Sequence, residues 1–230
     1  MHESLLEFHK KWYSANIMTL TIKSKHDIEI LEKWVTEKFS PVVNKDVVLP
    51  NLGDPTPFPV EKLGKLIKFV PVQDTDQITI QWVLPYLEKD FKTQPLRYLS
   101  HLFGHEGENS LLSYLISEGL ALELGSSFDH ELWSFSTFSV DITLTKKGLE
   151  NYDKVIESIF QYAQKIREAG PQEFIFKECK DLGLMQFEFQ DKGSGMNTCV
   201  SYAGRLQIFD SDNVAHINRS KFVIDEFDMK

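Results

Sequence analysis

The feature that most constrains the fold is a long alternating segment followed at once by an amphipathic one. Residues 131–145 read ELWSFSTFSVDITLT, and their apolar side chains keep one parity from Phe138 to Leu144. Alternation with a period of two is typical of a β-strand with one buried face. The parity changes at Ser136-Thr137, which predicts a β-bulge there. Residues 146–168 then place apolar side chains at helical spacing, which predicts a helix packed on a sheet.

The rest of the chain mixes the same two patterns. Helical spacing recurs in residues 3–15, 26–39, 93–103, 110–119 and 171–190, and β-prone runs occupy residues 17–23, 66–72, 78–84 and 120–126. Neighbouring strands with helices between them favour an α+β fold, a two-layer sandwich whose mixed, mostly antiparallel sheet has helices packed on one face. We expect residues 1–190 to form this domain. Residues 191–230 are predicted to be a helical segment that leads toward the next domain of a longer parent protein.

The composition excludes several classes of partner. The formal net charge is −9 and the isoelectric point is about 5.3, so binding to nucleic acid or to an anionic membrane surface is not expected. No apolar run is long enough to cross a bilayer. The two cysteines, Cys179 and Cys199, lack the spacing of metal ligands and indicate no disulfide framework. We therefore expect a reducing, cytoplasmic location.

Residues 101–105 read HLFGH and resemble a metal-binding motif. Two histidines four residues apart share one helix face, as in the inverted zinc-protease motif H-x-x-E-H, but Gly104 replaces the catalytic glutamate. One interpretation is a zinc hydrolase site built on His101, His105 and Glu178. The other is that the two histidines lie near a helix end without a metal.

Longer segments resemble a known family. They read YSANIMTLTI, KFVPVQDTDQITIQW, HLFGHEGENSLLSYLISEG, VDITLTKKGL and REAGPQEFIFKECKDL. From about residue 4 to about residue 190 the chain is similar to the insulysin-like members of the pitrilysin-type (inverzincin) zinc metallopeptidase family. The similarity is to the second, non-catalytic domain of the N-terminal half. It implies that zinc belongs to the preceding domain of the parent, that this chain holds no cofactor, and that it does not cleave peptides alone.

The resemblance also implies a role in holding substrates. In this family the second domain carries an exosite, where the N-terminal part of a peptide adds as a strand to a sheet edge, a mode called β-augmentation. The matching residues are His101, Gly104, Glu106, Leu124, Gly125 and Ser126. Glu106 would pair with the peptide amine, and residues 124–126 would offer the strand edge. The implied partners are peptide substrates and the other domains of the same parent chain.

Four positions depart from the family pattern. The family has His at the position of Arg97 and Gly at those of Ser100, Asn109 and Ser126. A third interpretation of the chain is a purely structural domain that packs against its neighbours. The polar, glycine-bounded turn at residues 104–107 favours the peptide-holding interpretation, because a packing face has no need of it.

Overall fold

A computed structural model describes residues 1–50, 58–72, 75–131 and 134–228. The chain forms two compact units. The first comprises Met1–Asn51 and Gln186–Phe222, and the second comprises Leu52–Met185 and Val223–Lys230. The domain boundary near residue 190 stays a prediction.

The described residues form nine helices and three strands, and two of the predicted strands are not among them. The helices are α1 (His2–Trp12), α2 (Ile28–Phe39), α3 (Pro95–Phe103), α4 (Leu111–Ser117), α5 (Lys146–Glu150), α6 (Tyr152–Ala169), α7 (Glu173–Glu188), α8 (Gly195–Arg205) and α9 (His216–Arg219). The strands are β1 (Gln77–Pro85), β2 (Ala121–Glu131) and β3 (Phe135–Leu144).

The three strands form an antiparallel sheet in the second unit, in the order β1–β3–β2. Ile142 of β3 faces Ile78 on one side and Leu124 on the other, so β3 is central. Its buried face packs against α4 and α6, where Leu115, Val155 and Ile159 are fully buried. An α+β fold with helices packed on an antiparallel sheet is thereby confirmed.

The opposite face of the sheet is polar. Thr79 Oγ1 donates to Asp141 Oδ1 at 2.6 Å, and Gln81 Nε2 donates to Ser139 Oγ at 3.3 Å. These cross-strand pairs alternate along β1 and β3 with the apolar pairs of the core. The strand pattern therefore comes from a sheet that is covered by helices on one face only.

A glycine fixes the corner between β3 and α5. Thr145 N donates to the carbonyl oxygen of Leu120 at 3.1 Å, and Thr145 Oγ1 accepts from Gly148 N at 2.9 Å. A Cβ atom added to Gly148 would lie only 1.9 Å from the oxygen of Leu120. No side chain fits at this position unless the backbone moves.

Two predictions about the best-patterned segments are wrong in detail. The helix predicted for residues 146–168 is divided at Asn151 into α5 and α6. The bulge predicted at Ser136-Thr137 is absent, because β3 pairs with both neighbours in unbroken register there. Ser136 is fully buried on the apolar face, where its Oγ accepts from Leu87 N at 2.9 Å. A buried serine in place of an apolar residue therefore caused the apparent change of parity. The predicted strand also included Leu132 and Trp133, which lie outside the described residues.

The strands predicted at residues 17–23 and 66–72 do not form. Ala15–Ile17 is a short 3₁₀ turn, and the chain after it is extended without a strand partner among the described residues. In residues 66–72 the side chains of Phe69 and Val70 are 82% and 93% exposed. β-branched and aromatic composition favours a strand only where a neighbouring strand and a covering layer are present.

A thiol on α7 is buried. Cys179 is 6% exposed, and burial, with a smaller contribution from the charge of Glu178, raises its pKa to about 11. Burial lowers the pKa of Arg97 on α3, whose Nε donates to Gln94 Oε1 at 2.6 Å. Cys199 lies in the first unit and is partly exposed.

Replacing Gly148 by alanine should destabilise the chain by about 1–3 kcal/mol, because the added methyl group overlaps the Leu120 carbonyl. Chemical unfolding measures the loss. Gly204→Ala is the control, since a Cβ atom there meets no atom within 4 Å. Equal stability of the two variants would show that the corner relaxes freely.

Cys179 should resist alkylation while Cys199 reacts. A thiol with a pKa near 11 is almost entirely protonated at about pH 8, and the thiolate is the reactive form. The reaction of Cys179 should therefore quicken as the pH rises toward its pKa. Mass spectrometry after iodoacetamide treatment of the native chain distinguishes the two sites; equal labelling at about pH 8 would contradict the burial of Cys179.

Candidate functional site

The predicted site residues lie at the C-terminal end of α3, in the turn that follows it and in the first half of β2. α3 begins at Pro95, and Gly104 N closes its last turn on the carbonyl oxygen of Ser100 at 2.9 Å. The following turn ends at Ser110, whose Oγ accepts from Ser113 N at 3.0 Å and caps α4. Asn109 has a φ of 66°, a left-handed conformation that asparagine tolerates better than most residues.

Gly104 lies against β2. A Cβ atom added to it would stand 3.0 Å from the Ser100 carbonyl oxygen and 3.1 Å from Ser126 Oγ. Ser126 Oγ donates to the Ser100 carbonyl oxygen at 2.7 Å, and Ser100 Oγ donates to the Ser126 carbonyl oxygen at 3.2 Å. The glycine therefore permits a close, hydrogen-bonded approach of α3 to β2. A glutamate could occupy this position only if its neighbours moved.

Glu106, Leu124 and Gly125 line a common groove of about 670 Å³. The Glu106 side chain is exposed, Leu124 is 7% exposed, and a Cβ atom on Gly125 would meet nothing within 4 Å. The other lining residues are Gln77, Leu112, Ile116, Leu122, Glu123, Asp141 and Thr143. Three carboxylates, those of Glu106, Glu123 and Asp141, give the groove a negative potential that attracts cations.

Part of the groove wall is the edge strand β2, and the lining reaches Asp141 and Thr143 of β3 and Gln77 of β1. Leu124, Gly125 and Ser126 pair with Ile142, Asp141 and Val140 of β3. Within the described chain β2 has no second strand partner. An edge strand presents backbone N–H and C=O groups that another strand can bind.

The zinc interpretation of HLFGH is wrong for this chain. His101 Nε2 lies 3.9 Å from Glu178 Oε2, while His105 Nδ1 accepts from Gly107 N at 3.1 Å. The two imidazole rings are nearly perpendicular, with centroids 6.3 Å apart. No group of three or more His, Cys, Asp or Glu residues in the described ranges could hold a metal ion. The donors present do not fit a zinc ion, and no hydrolytic step can be derived from them.

The predicted site residues thus have three different locations. Glu106, Leu124 and Gly125 line the groove, and Gly104 and Ser126 form the contact that supports it. His101 lies outside the groove lining and faces Glu178.

The sequence did not single out the remaining wall of the groove. Ile116 and Leu122 belong to it, as does Asp141 from β3. The pattern LALEL gave no signal of this, because Leu120, Leu122 and Leu124 share one parity and the alternation alone would place Leu122 with the buried leucines.

None of the helices in the described residues is both long and apolar enough to span a membrane.

Comparison with known proteins identifies relatives that are much longer than this chain. The chain is 38% identical over 215 residues to insulin-degrading enzyme of Drosophila melanogaster, covering 93% of this chain and 22% of the relative. It is 36% identical over 227 residues to human insulin-degrading enzyme, covering 99% and 22%. Human nardilysin is 35% identical over 213 residues, covering 90% and 18%. The chain spans about a fifth of the length of these relatives.

A solved structure of pitrilysin shares the fold. It matches 99% of this chain and 24% of its own with a TM-score of 0.85 at 22% identity. The family described as the peptidase M16 inactive domain matches residues 1–182. The chain therefore belongs to the peptidase M16 inactive-domain family, and the resemblance drawn from its motifs is confirmed.

Proposed function

We propose that this chain is the substrate-holding, non-catalytic domain of an insulysin-like zinc metalloendopeptidase that degrades peptides. It binds the N-terminal part of a peptide as an added strand on the outer edge of β2. The observation that carries the proposal is that Glu106, Leu124 and Gly125 line one groove beside an edge strand. The zinc ion belongs to the preceding domain of the parent protein.

β-Augmentation suits this edge for physical reasons. Main-chain hydrogen bonds depend little on the side chains of the bound strand, so many peptide sequences are accepted. Leu124 anchors the strand in the core, while Gly125 carries no side chain that could block an approaching backbone. β2 thus pairs with β3 on one side, and its other side is free to accept a peptide strand.

Glu106 supplies the preference for a peptide N-terminus. Its exposed carboxylate can pair with an α-ammonium group, and such an exposed pair contributes about 1 kcal/mol or less. Glu123 and Asp141 line the same groove and add to the attraction. The strand hydrogen bonds and apolar contacts therefore supply most of the affinity.

The contact between Ser100 and Ser126 limits where the edge can accept a strand. The Ser126 carbonyl oxygen already accepts from Ser100 Oγ at 3.2 Å. A docked strand that uses this oxygen must share or displace that hydrogen bond. We infer that docking is centred on residues 122–125.

A second function, packing against other domains of the parent chain, is favoured by the first unit. α1 and α2 contain no buried residue, yet their side chains include exposed apolar groups such as Leu5, Phe8 and Trp34. Apolar surface on this scale is typical of protein–protein contact. Because the groove lies in the second unit, one chain can serve both purposes.

Both cysteines are free, which fits the cytoplasmic location that we propose.

Acetylating the N-terminus of a bound peptide should weaken its binding to the wild-type chain by about threefold to fivefold, because the pair with Glu106 is lost. In Glu106→Gln the free and acetylated peptides should bind almost equally. Fluorescence anisotropy with a carboxy-terminally labelled peptide measures both ratios.

Glu108→Gln is the matched control for this titration. Glu108 is exposed on the same turn but does not line the groove, so its variant should keep the wild-type ratio. If acetylation has no effect on wild type, or the same effect on both variants, the assignment of Glu106 fails.

A further inference from the structure

Two large apolar side chains lie exposed on the wall of the groove. Ile116 on α4 is 50% exposed, and Leu122 at the start of β2 is 60% exposed. Single exposed apolar residues are ordinary on protein surfaces. These two stand beside the buried Leu112 and Leu124, which line the same groove.

An irregularity in the sheet explains the exposure of Leu122. Ala121 pairs with Leu144, whereas Glu123 pairs with Thr143, so Leu122 is an extra residue in β2. Ala121 and Leu124 on either side of it are 3% and 7% exposed. Bulges redirect side chains, and this one turns a leucine out of the core toward the groove.

The groove thus joins an apolar wall to a carboxylate. Glu106 lies in the same groove as Ile116 and Leu122. A peptide strand advances about 3.3 Å per residue, and every second side chain points to the same side. A strand whose amine reaches Glu106 therefore carries one of its next few side chains past the apolar wall.

We propose that Ile116 and Leu122 form a side-chain subsite that selects peptides with a large apolar residue within a few residues of a free N-terminus. This inference rests on the proposed function of the β2 edge. The occupant is a peptide with a cationic amine, since the groove has three carboxylates in its lining, those of Glu106, Glu123 and Asp141.

The experiment compares peptides that carry leucine or serine at each of the first few positions, all with a free N-terminus. The full chain is titrated as wild type, as Ile116→Ser/Leu122→Ser, and as Tyr114→Ser. Tyr114 is the matched control, because it is 51% exposed on the same helix but does not line the groove.

At one position, wild type should bind the leucine peptide about tenfold more tightly than the serine peptide, since a leucine side chain leaves water. The double variant should lose this preference, while its affinity for the serine peptides stays unchanged. Tyr114→Ser should retain the preference. Ile116→Ser and Leu122→Ser, tested singly, should each lose part of it.

Two failures are distinguishable. If wild type binds leucine and serine peptides equally at every position, and acetylation still weakens binding, the subsite is wrong and the docking edge survives. If no peptide binds, both proposals fail.

The other occupant to test is a second copy of the chain. Sedimentation would then show a wild-type dimer that the double variant dissociates, with the leucine preference unchanged. That result would overturn the subsite.

Discussion

The burial of one face of β3 is the interaction on which the rest of the second unit depends. Val140 and Ile142 are fully buried there, against Leu115 of α4 and Ile159 of α6. Each such side chain contributes roughly 2 kcal/mol by leaving water. β3 pairs with a strand on each side, so β1 and β2 are the edges of the sheet. Of the helices that cover the buried face, α4 also contributes Leu112 and Ile116 to the groove beside β2.

Gly104 has a structural role in the HLFGH segment. A Cβ atom at this position would lie 3.0 Å from the Ser100 carbonyl oxygen and 3.1 Å from Ser126 Oγ. The glycine therefore lets α3 approach the edge strand β2 closely, and the reciprocal hydrogen bonds between Ser100 and Ser126 hold that contact. In the function that we propose, this contact supports the docking edge.

Most of the second unit could be predicted from the sequence, because its patterns are local. The alternation in residues 78–84 and the helical spacing in residues 93–103 and 110–119 all gave correct elements. The strands predicted at 17–23 and 66–72 failed because composition cannot supply a pairing partner. Ser136 occupies a position where the pattern of buried side chains would have an apolar residue. A polar residue at such a position looks the same in the sequence as a shift of parity, so it suggested a bulge.

The candidate site was harder to predict, because its residues meet only through the tertiary fold. Glu106 and residues 124–126 were predicted from the family resemblance. The place of Leu122 in the groove depends on a one-residue shift in register, and that of Asp141 depends on the pairing of β2 with β3.

Hydrogen–deuterium exchange of the full chain, with and without a peptide that has a free N-terminus, tests the docking edge most directly. Strand addition predicts that amides within residues 122–126 become protected while those of β1, the other edge, do not change. Unchanged exchange in β2, or equal protection of both edges, would contradict it.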